Sequence, residues 1–276
     1  MLDHRRTGLS SYTTRLLSEG RVVFSSEEAQ RVLAINSGAL LDAAERLQRR
    51  KALISPRRGF YVIVPPQFLA WGAPPPSWYI DDLMRHEGRP YYVGLLKAAE
   101  LHRASHQAAM EFQVVTDKRL PKIRAGRSAI AFYYRKDITA ITATIEERKT
   151  DTGRMKMSSL ELTMFDLLRY PHAGGGLSNV VTVLSELGGR VDSNKLAALV
   201  PAFERSVVQR LGHLLGRLGH QEGESVLHET LLRQRSSLPW VELEPSQASD
   251  PDFESVPTAR DERWHVIVRQ PPEVDE

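Results

Sequence analysis

The chain has 276 residues, 41% hydrophobic and 26% charged, which are values of a globular protein long enough for two ordinary domains. It holds no cysteine, which excludes disulfides, iron–sulfur clusters and thiolate chemistry, and no apolar run near the roughly 18 residues a bilayer span needs. The net charge of +3 is unevenly distributed: residues 1–66 carry eleven Lys and Arg against six Asp and Glu, a net of +5, while the remaining 26 basic and 28 acidic residues net −2.

Met1–Ser10 has charges but no apolar centre, so it does not read as a secretory signal, and a cytoplasmic protein is expected. Ser25 and Glu28 make a capping-box pair at the start of a short helical run, Glu27 to Ile35, which Asn36-Ser37-Gly38 breaks. A second helix is expected from about Ser37 to Arg50, with Leu40, Leu41, Ala44 and Leu47 on its apolar face. The opposite face carries Ala39, Asp42, Arg46, Arg49 and, near its edge, Arg50. After Lys51 the period becomes strand-like, and Pro56-Arg57-Arg58-Gly59 between two apolar runs signals a hairpin that ends in Phe60 to Val64.

Helix, turn, helix and basic-tipped hairpin is the order of a winged helix-turn-helix, which puts its second helix in the major groove of DNA. The expected contacts are Ser37, Ala39 and Asp42 near base edges, Arg46 and Arg49 in the groove with Arg50 at its margin, Arg57 and Arg58 on phosphates, and Arg5 and Arg6 in a supporting arm. Phosphate binding needs cations in one place, and the basic excess lies in this segment.

The module is expected to end at Pro65-Pro66. Residues 67–77, with Pro74-Pro75-Pro76, read as an extended proline-rich linker flanked by Trp71 and Trp78, and 78–276 as a second domain. That domain opens with helices over Tyr79–His86 and Tyr91–His102. Strands are expected over Phe112–Thr116, Arg127–Tyr134, Ile138–Ile145, antiparallel to the one before, and Gly153–Met157. Ser158 or Ser159 caps a helix over Leu160–Tyr170, stopped by Pro171 and Gly174-Gly175-Gly176. Leu177 to Gln234 is helical throughout, broken at Gly188-Gly189, Pro201 and Gly219. Two late strands, Trp240–Leu243 and Trp264–Val268, enclose a polar segment, Pro245–Glu262, expected to be a mobile loop. The fold class is α+β: a winged helix followed by a mixed α/β domain of a small sheet and a helical bundle.

Several blocks together resemble the AbiEi family of abortive-infection antitoxins. They are Val23-Phe24-Ser25, Arg57-Arg58-Gly59-Phe60-Tyr61, Tyr91 to Leu96 with Leu101 to Gln107, Phe112 to Thr116, Leu160 to Pro171, and Gly174 to Leu177. The resemblance implies an antitoxin of a toxin–antitoxin system. Its N-terminal domain would bind double-stranded operator DNA and repress its own operon, and its C-terminal domain would counter a nucleotidyltransferase toxin in phage defence. The Pro245–Glu262 segment has no counterpart in that pattern.

Other chemistry is weakly signalled. His102 and His106 stand four apart, a spacing that can chelate zinc, without a third ligand nearby; hydrogen bonding or capping is the better reading, and neither metal nor cofactor is expected. Asp117 and Glu147-Arg148-Lys149 at strand ends are the short pattern of a metal-dependent nuclease, and equally of charges meeting solvent. The glycine run lacks the Lys-Ser/Thr of a phosphate loop and reads as a helix stop. A nuclease and a ligand-sensing regulator are the alternatives to a non-enzymatic antitoxin.

Overall fold

A computed structural model describes residues 8–104, 109–234, 237–245 and 258–272. By packing, the chain divides into two compact units. The first comprises 1–92, 110–138 and 147–156, and the second 93–109, 139–146 and 157–276.

The first unit opens with α1 (Leu9–Ser18), β1 (Val23–Ser25), α2 (Ser26–Leu33) and α3 (Ser37–Arg49), followed by β2 (Leu53–Arg57) and β3 (Phe60–Ile63). The local chemistry dictates the boundaries. Ser25 Oγ accepts from the Glu28 N–H at 3.1 Å and Asn36 Oδ1 from the Ala39 N–H at 2.9 Å, satisfying orphan donors at the starts of α2 and α3. Between those helices Ala34 turns the chain in the left-handed region. The strands form an antiparallel sheet in the order β1-β3-β2, with Phe24 opposite Tyr61 and a bulge between Ile54 and Arg57. Leu9, Tyr12 and Leu16 of α1 meet Phe24, Leu40, Ala44, Leu47, Leu53 and Tyr61 in one core. Tyr12 meets Phe24 edge-on at 5.6 Å, and Phe24 stacks on Tyr61 at 5.1 Å.

Residues 65–78 are not an extended linker. Pro66–Phe68 and Pro76–Trp78 are 3-10 turns, Phe68 meets Trp78 edge-on at 5.0 Å, and the Trp71 carbonyl accepts the Arg127 N–H at 2.9 Å. Prolines at the first position of a turn favour that conformation as readily as an extended one. Trp71 itself is 57% exposed, while Trp78 Nε1 donates to Asp151 at 2.8 Å. The packing therefore does not part at residue 66: the first unit continues through α4 (Ile80–His86) and β4 (Tyr91–Val93), whose last residue lies in the second unit.

After β4 comes α5 (Leu95–Leu101) of the second unit, then β5 (Phe112–Thr116), β6 (Ile123–Ala125), β7 (Ser128–Tyr134), β8 (Ile145–Thr150) and β9 (Gly153–Ser158). Strands β4 to β9 make a six-stranded sheet in the order β6-β7-β5-β4-β9-β8. Strand β7 pairs in parallel with β5 and antiparallel with β6. Two expectations are corrected here. Tyr91–His102 is a strand followed by a helix, because Gly94 separates an aromatic, β-branched trio from α5. Thr139–Thr144 is a 3-10 turn, because the Thr142 and Thr144 hydroxyls donate to the carbonyls three residues back.

The second unit is mainly helical: α6 (Leu160–Arg169), α7 (Leu177–Gly188), α8 (Ser193–Leu199), α9 (Arg205–Arg217) and α10 (Gln221–Gln234). Ser159 caps α6 through the Leu162 N–H, and Gly175 and Gly176, at φ 74° and 96°, turn the chain into α7. Strands β10 (Val241–Glu242), β11 (Ala259–Asp261) and β12 (Val266–Val268) form a small sheet in the order β10-β12-β11. The end of the expected 245–262 loop is thus strand; residues 246–257 lie outside the described residues. Trp264, 1% exposed, fills the space left by Gly212 of α9 and donates from Nε1 to buried Glu224 at 2.8 Å.

Candidate nucleic-acid interface

Helix α3 buries Leu40, Ala44 and Leu47 and exposes Ser37, Gly38, Ala39, Asp42, Glu45, Arg46 and Arg49. The sequence places Leu41 with the apolar stripe, but it is 57% exposed: it lies about 100° of helix from Leu40, too far round to reach the core. Val32 of α2 is likewise 48% exposed. Arg46 is exposed with no ion pair among the described residues. Arg49 is exposed but bonded to Glu45 at 2.6 Å, one turn back. Arg50, the C-terminal cap residue of α3, is exposed. The Ala39 N–H is taken by the Asn36 cap, which leaves only its methyl on the surface.

The hairpin turn treats its two arginines differently. Arg58 is exposed, beside Gly59 at φ 77°. Arg57 is turned inward: Nε donates to Glu87 at 2.8 Å, a terminal nitrogen donates to the Pro121 carbonyl at 2.8 Å, and the guanidinium lies 5.7 Å from the Phe132 ring centre. Its side chain is 19% exposed, so the expected phosphate contact at Arg57 is replaced by an internal anchor. The Arg58 carbonyl accepts from His86 Nε2 at 3.1 Å, which fixes the turn from the other side. Sequence reasoning missed Glu87, thirty residues from its partner. Arg5 and Arg6 lie outside the described residues.

An ion pair holds the start of α2. Arg21 donates two bonds to Glu28, at 2.8 and 2.9 Å, and these hold the Glu28 carboxyl below the usual carboxylate range, against a burial effect of opposite sign. That pair ties the segment before β1 to the first turn of α2.

The other candidate sites fare differently. Asp117 faces Arg89 at 3.8 Å, while Glu147 stands inside β8 rather than at its end and pairs with Arg154 at 2.8 Å. Each acid thus has its own arginine, and no group of three potential metal ligands occurs among the described residues. His102 bonds the Ser158 carbonyl through Nε2 at 2.8 Å; His106 is outside the described residues. Gly174 is packed against Val180 and Leu167, as a helix stop requires. A cleft of about 690 Å³ in the first unit is lined by Asp81, Arg85, Arg89, Glu147, Arg154 and Lys156, among others. Among the described residues no helix is long and apolar enough to cross a membrane.

The crystal structure of the RV2827C protein from Mycobacterium tuberculosis has a similar fold, with a TM-score of 0.65 at 18% identity over 94% of this chain and 90% of that one. A comparison with curated proteins finds no match. The family described as AbiEi antitoxin C-terminal domain matches residues 92–217. That stretch therefore belongs to the AbiEi antitoxin family, and with it the chain carries the antitoxin domain of a toxin–antitoxin system.

Proposed function

We propose that residues 9–63 form a winged helix-turn-helix that docks on double-stranded operator DNA, with α3 in the major groove and the β2–β3 turn on the backbone. The observation that carries this reading is the exposed outer face of α3, opposite Leu40, Ala44 and Leu47, in one unit with exposed Arg58 at a glycine turn. The net of +5 on residues 1–66 supports it. On this reading the protein represses its own operon, and the domain matched at 92–217 counters a nucleotidyltransferase toxin in the cytoplasm as part of phage defence.

The test is fluorescence anisotropy of the full chain on the duplex upstream of its own gene, against a scrambled duplex, over a range of salt. Preference for the upstream duplex, with affinity falling steeply as salt rises, is expected. Equal affinity for both duplexes overturns the DNA reading. Co-expression with a nucleotidyltransferase toxin gene, taken from beside this one where the genome carries it, under a foreign promoter tests the second role separately, and cell death despite the intact chain overturns that one.

A ligand-sensing regulator is a second reading, favoured by the cleft of about 690 Å³ and its mixed lining of arginines and carboxylates. Under that reading an anionic ligand shifts operator affinity. Calorimetry with inorganic phosphate and with nucleotides tests it, and no heat from either removes it.

A further inference from the structure

The centre of the outer face of α3 is not a row of free arginines. Gly38, Asp42, Glu45 and Arg49, at i, i+4, i+7 and i+11, form one exposed stripe directly opposite the buried one. Two of the four are carboxylates, which only accept hydrogen bonds. The one arginine of the stripe is bonded to Glu45 at 2.6 Å. Arg46 lies on one flank and 57% exposed Leu41 on the other.

This pattern suits an edge with an amino donor beside acceptors, and of the two such edges carboxylates typically read the G·C one through cytosine N4, whereas adenine N6 and N7 are read by carboxamides. In the major groove a G·C pair presents the cytosine N4 amino donor beside the O6 and N7 acceptors of guanine. A coupled carboxylate and guanidinium offers an acceptor beside donors, in the complementary order. Arg49 keeps further N–H groups after bonding Glu45, because a guanidinium has five. A lone carboxylate facing the groove is repelled by phosphates, so an acidic stripe fits this surface only where it meets an amino donor. Leu41 offers its apolar tip to the thymine methyl group beside that pair.

Building on the DNA-binding reading above, we propose that Glu45 with Arg49, and Asp42 beside them, are specificity-determining residues that select G·C pairs by accepting from cytosine N4, with Leu41 selecting a flanking thymine.

The experiment is site selection from a randomised duplex library with the full chain, its Glu45→Gln form and its Asp42→Asn form. A carboxamide pairs with adenine N6 and N7 where a carboxylate accepts from cytosine. The expected result is a consensus with G·C at defined positions, at which Glu45→Gln switches the preference towards A·T by roughly tenfold. Asp42→Asn is expected to do the same at a neighbouring position. All these side chains are exposed, and exposed ion pairs contribute little to stability, so both forms should melt with the parent chain. An unchanged consensus in both variants overturns the assignment and leaves the DNA reading standing, even if overall affinity rises or falls. A parent chain that selects no consensus overturns both.

Discussion

Arg57 and Glu87 form a 2.8 Å ion pair in which both side chains are about four-fifths buried, and it ties the hairpin turn to the end of α4. Its desolvation makes it unlike the exposed Arg49–Glu45 pair, because removing one partner leaves the other charge poorly hydrated. Glu87→Ala should therefore cost about 1–3 kcal/mol of unfolding free energy, and Arg57→Ala a similar amount. The double variant should cost less than the sum of the two. Urea titration of the four proteins measures the coupling, and strictly additive losses would show that the pair is not an anchor.

The same contact bears on where the chain can be cut. A fragment ending at Pro66 loses Glu87, His86, Pro121 and Phe132, which hold the hairpin turn. A fragment beginning at Trp78 loses Trp71 and Gly72, against which Arg127 and Gly126 pack. Both cuts pass through the first unit, and each fragment should melt well below the full chain, by roughly 10 °C if about 2 kcal/mol is lost. Circular dichroism melts test this. A 1–66 fragment as stable as the intact chain would restore the boundary read from the prolines.

What the sequence displays and what it conceals divide along the range of the forces involved. Ser25 and Ser159 announce helix starts because capping is a bond between residues three apart. Helix α1 is not among the elements expected from the sequence, although Leu9, Tyr12, Thr13 and Leu16 repeat at helical spacing. Its five threonines and serines, Ser10, Ser11, Thr13, Thr14 and Ser18, mask that signal. The apolar alternation of Ile138–Ile145 misleads because hydroxyl-to-backbone bonds compete with a strand. Arg57 was legible as a cation but not as a buried one, because its partners at 87, 121 and 132 are set by tertiary packing. Glu45 is absent from the face expected from the sequence, and its pairing with Arg49, which alters the charge of the outer face of α3, is evident only from the geometry.

Gly212 in α9 is a position of close approach. A Cβ there would come within 2.1 Å of the Trp264 ring, whose rigid indole cannot retreat while Nε1 stays on Glu224. Helix propensity alone favours Gly212→Ala by about 1 kcal/mol. Overpacking opposes it by about 1–3 kcal/mol, and with the Glu224 bond at stake the net should be destabilising. A red shift of tryptophan emission together with a lower urea midpoint is the expected result. A stabilised variant with unchanged emission would show that the ring yields cheaply.

His213 of α9 is 6% exposed, and its Nδ1 lies 2.6 Å from Asp261 Oδ2, while Nε2 has no partner among the described residues. Burial drives its pKa below the ordinary 6.5, and the nearby charge of Arg217 acts the same way, outweighing the raising effect of Asp261. The imidazole is therefore held neutral in the fold and takes up its proton more readily in the unfolded chain. Above about pH 7.5 both states are neutral and the group gives no pH slope. As the pH falls through 6.5 the unfolded chain binds the proton first, so stability declines until the folded value is also passed. The decline amounts to about 1.4 kcal/mol for each unit of depression. Asp261 behaves in the opposite range. Burial raises its carboxyl, but the His213 bond and the N–H groups of Trp264 and Arg263 more than offset this and leave it below the ordinary 3.8. Its contribution is complete above that value and is lost only in stronger acid. Urea midpoints at pH 8, 6.5 and 5 should thus fall for the parent chain. His213→Gln should flatten the profile above pH 5 and keep the acid limb. A profile in the variant that falls as steeply as the parent's between pH 8 and 5 would place the titrating group elsewhere.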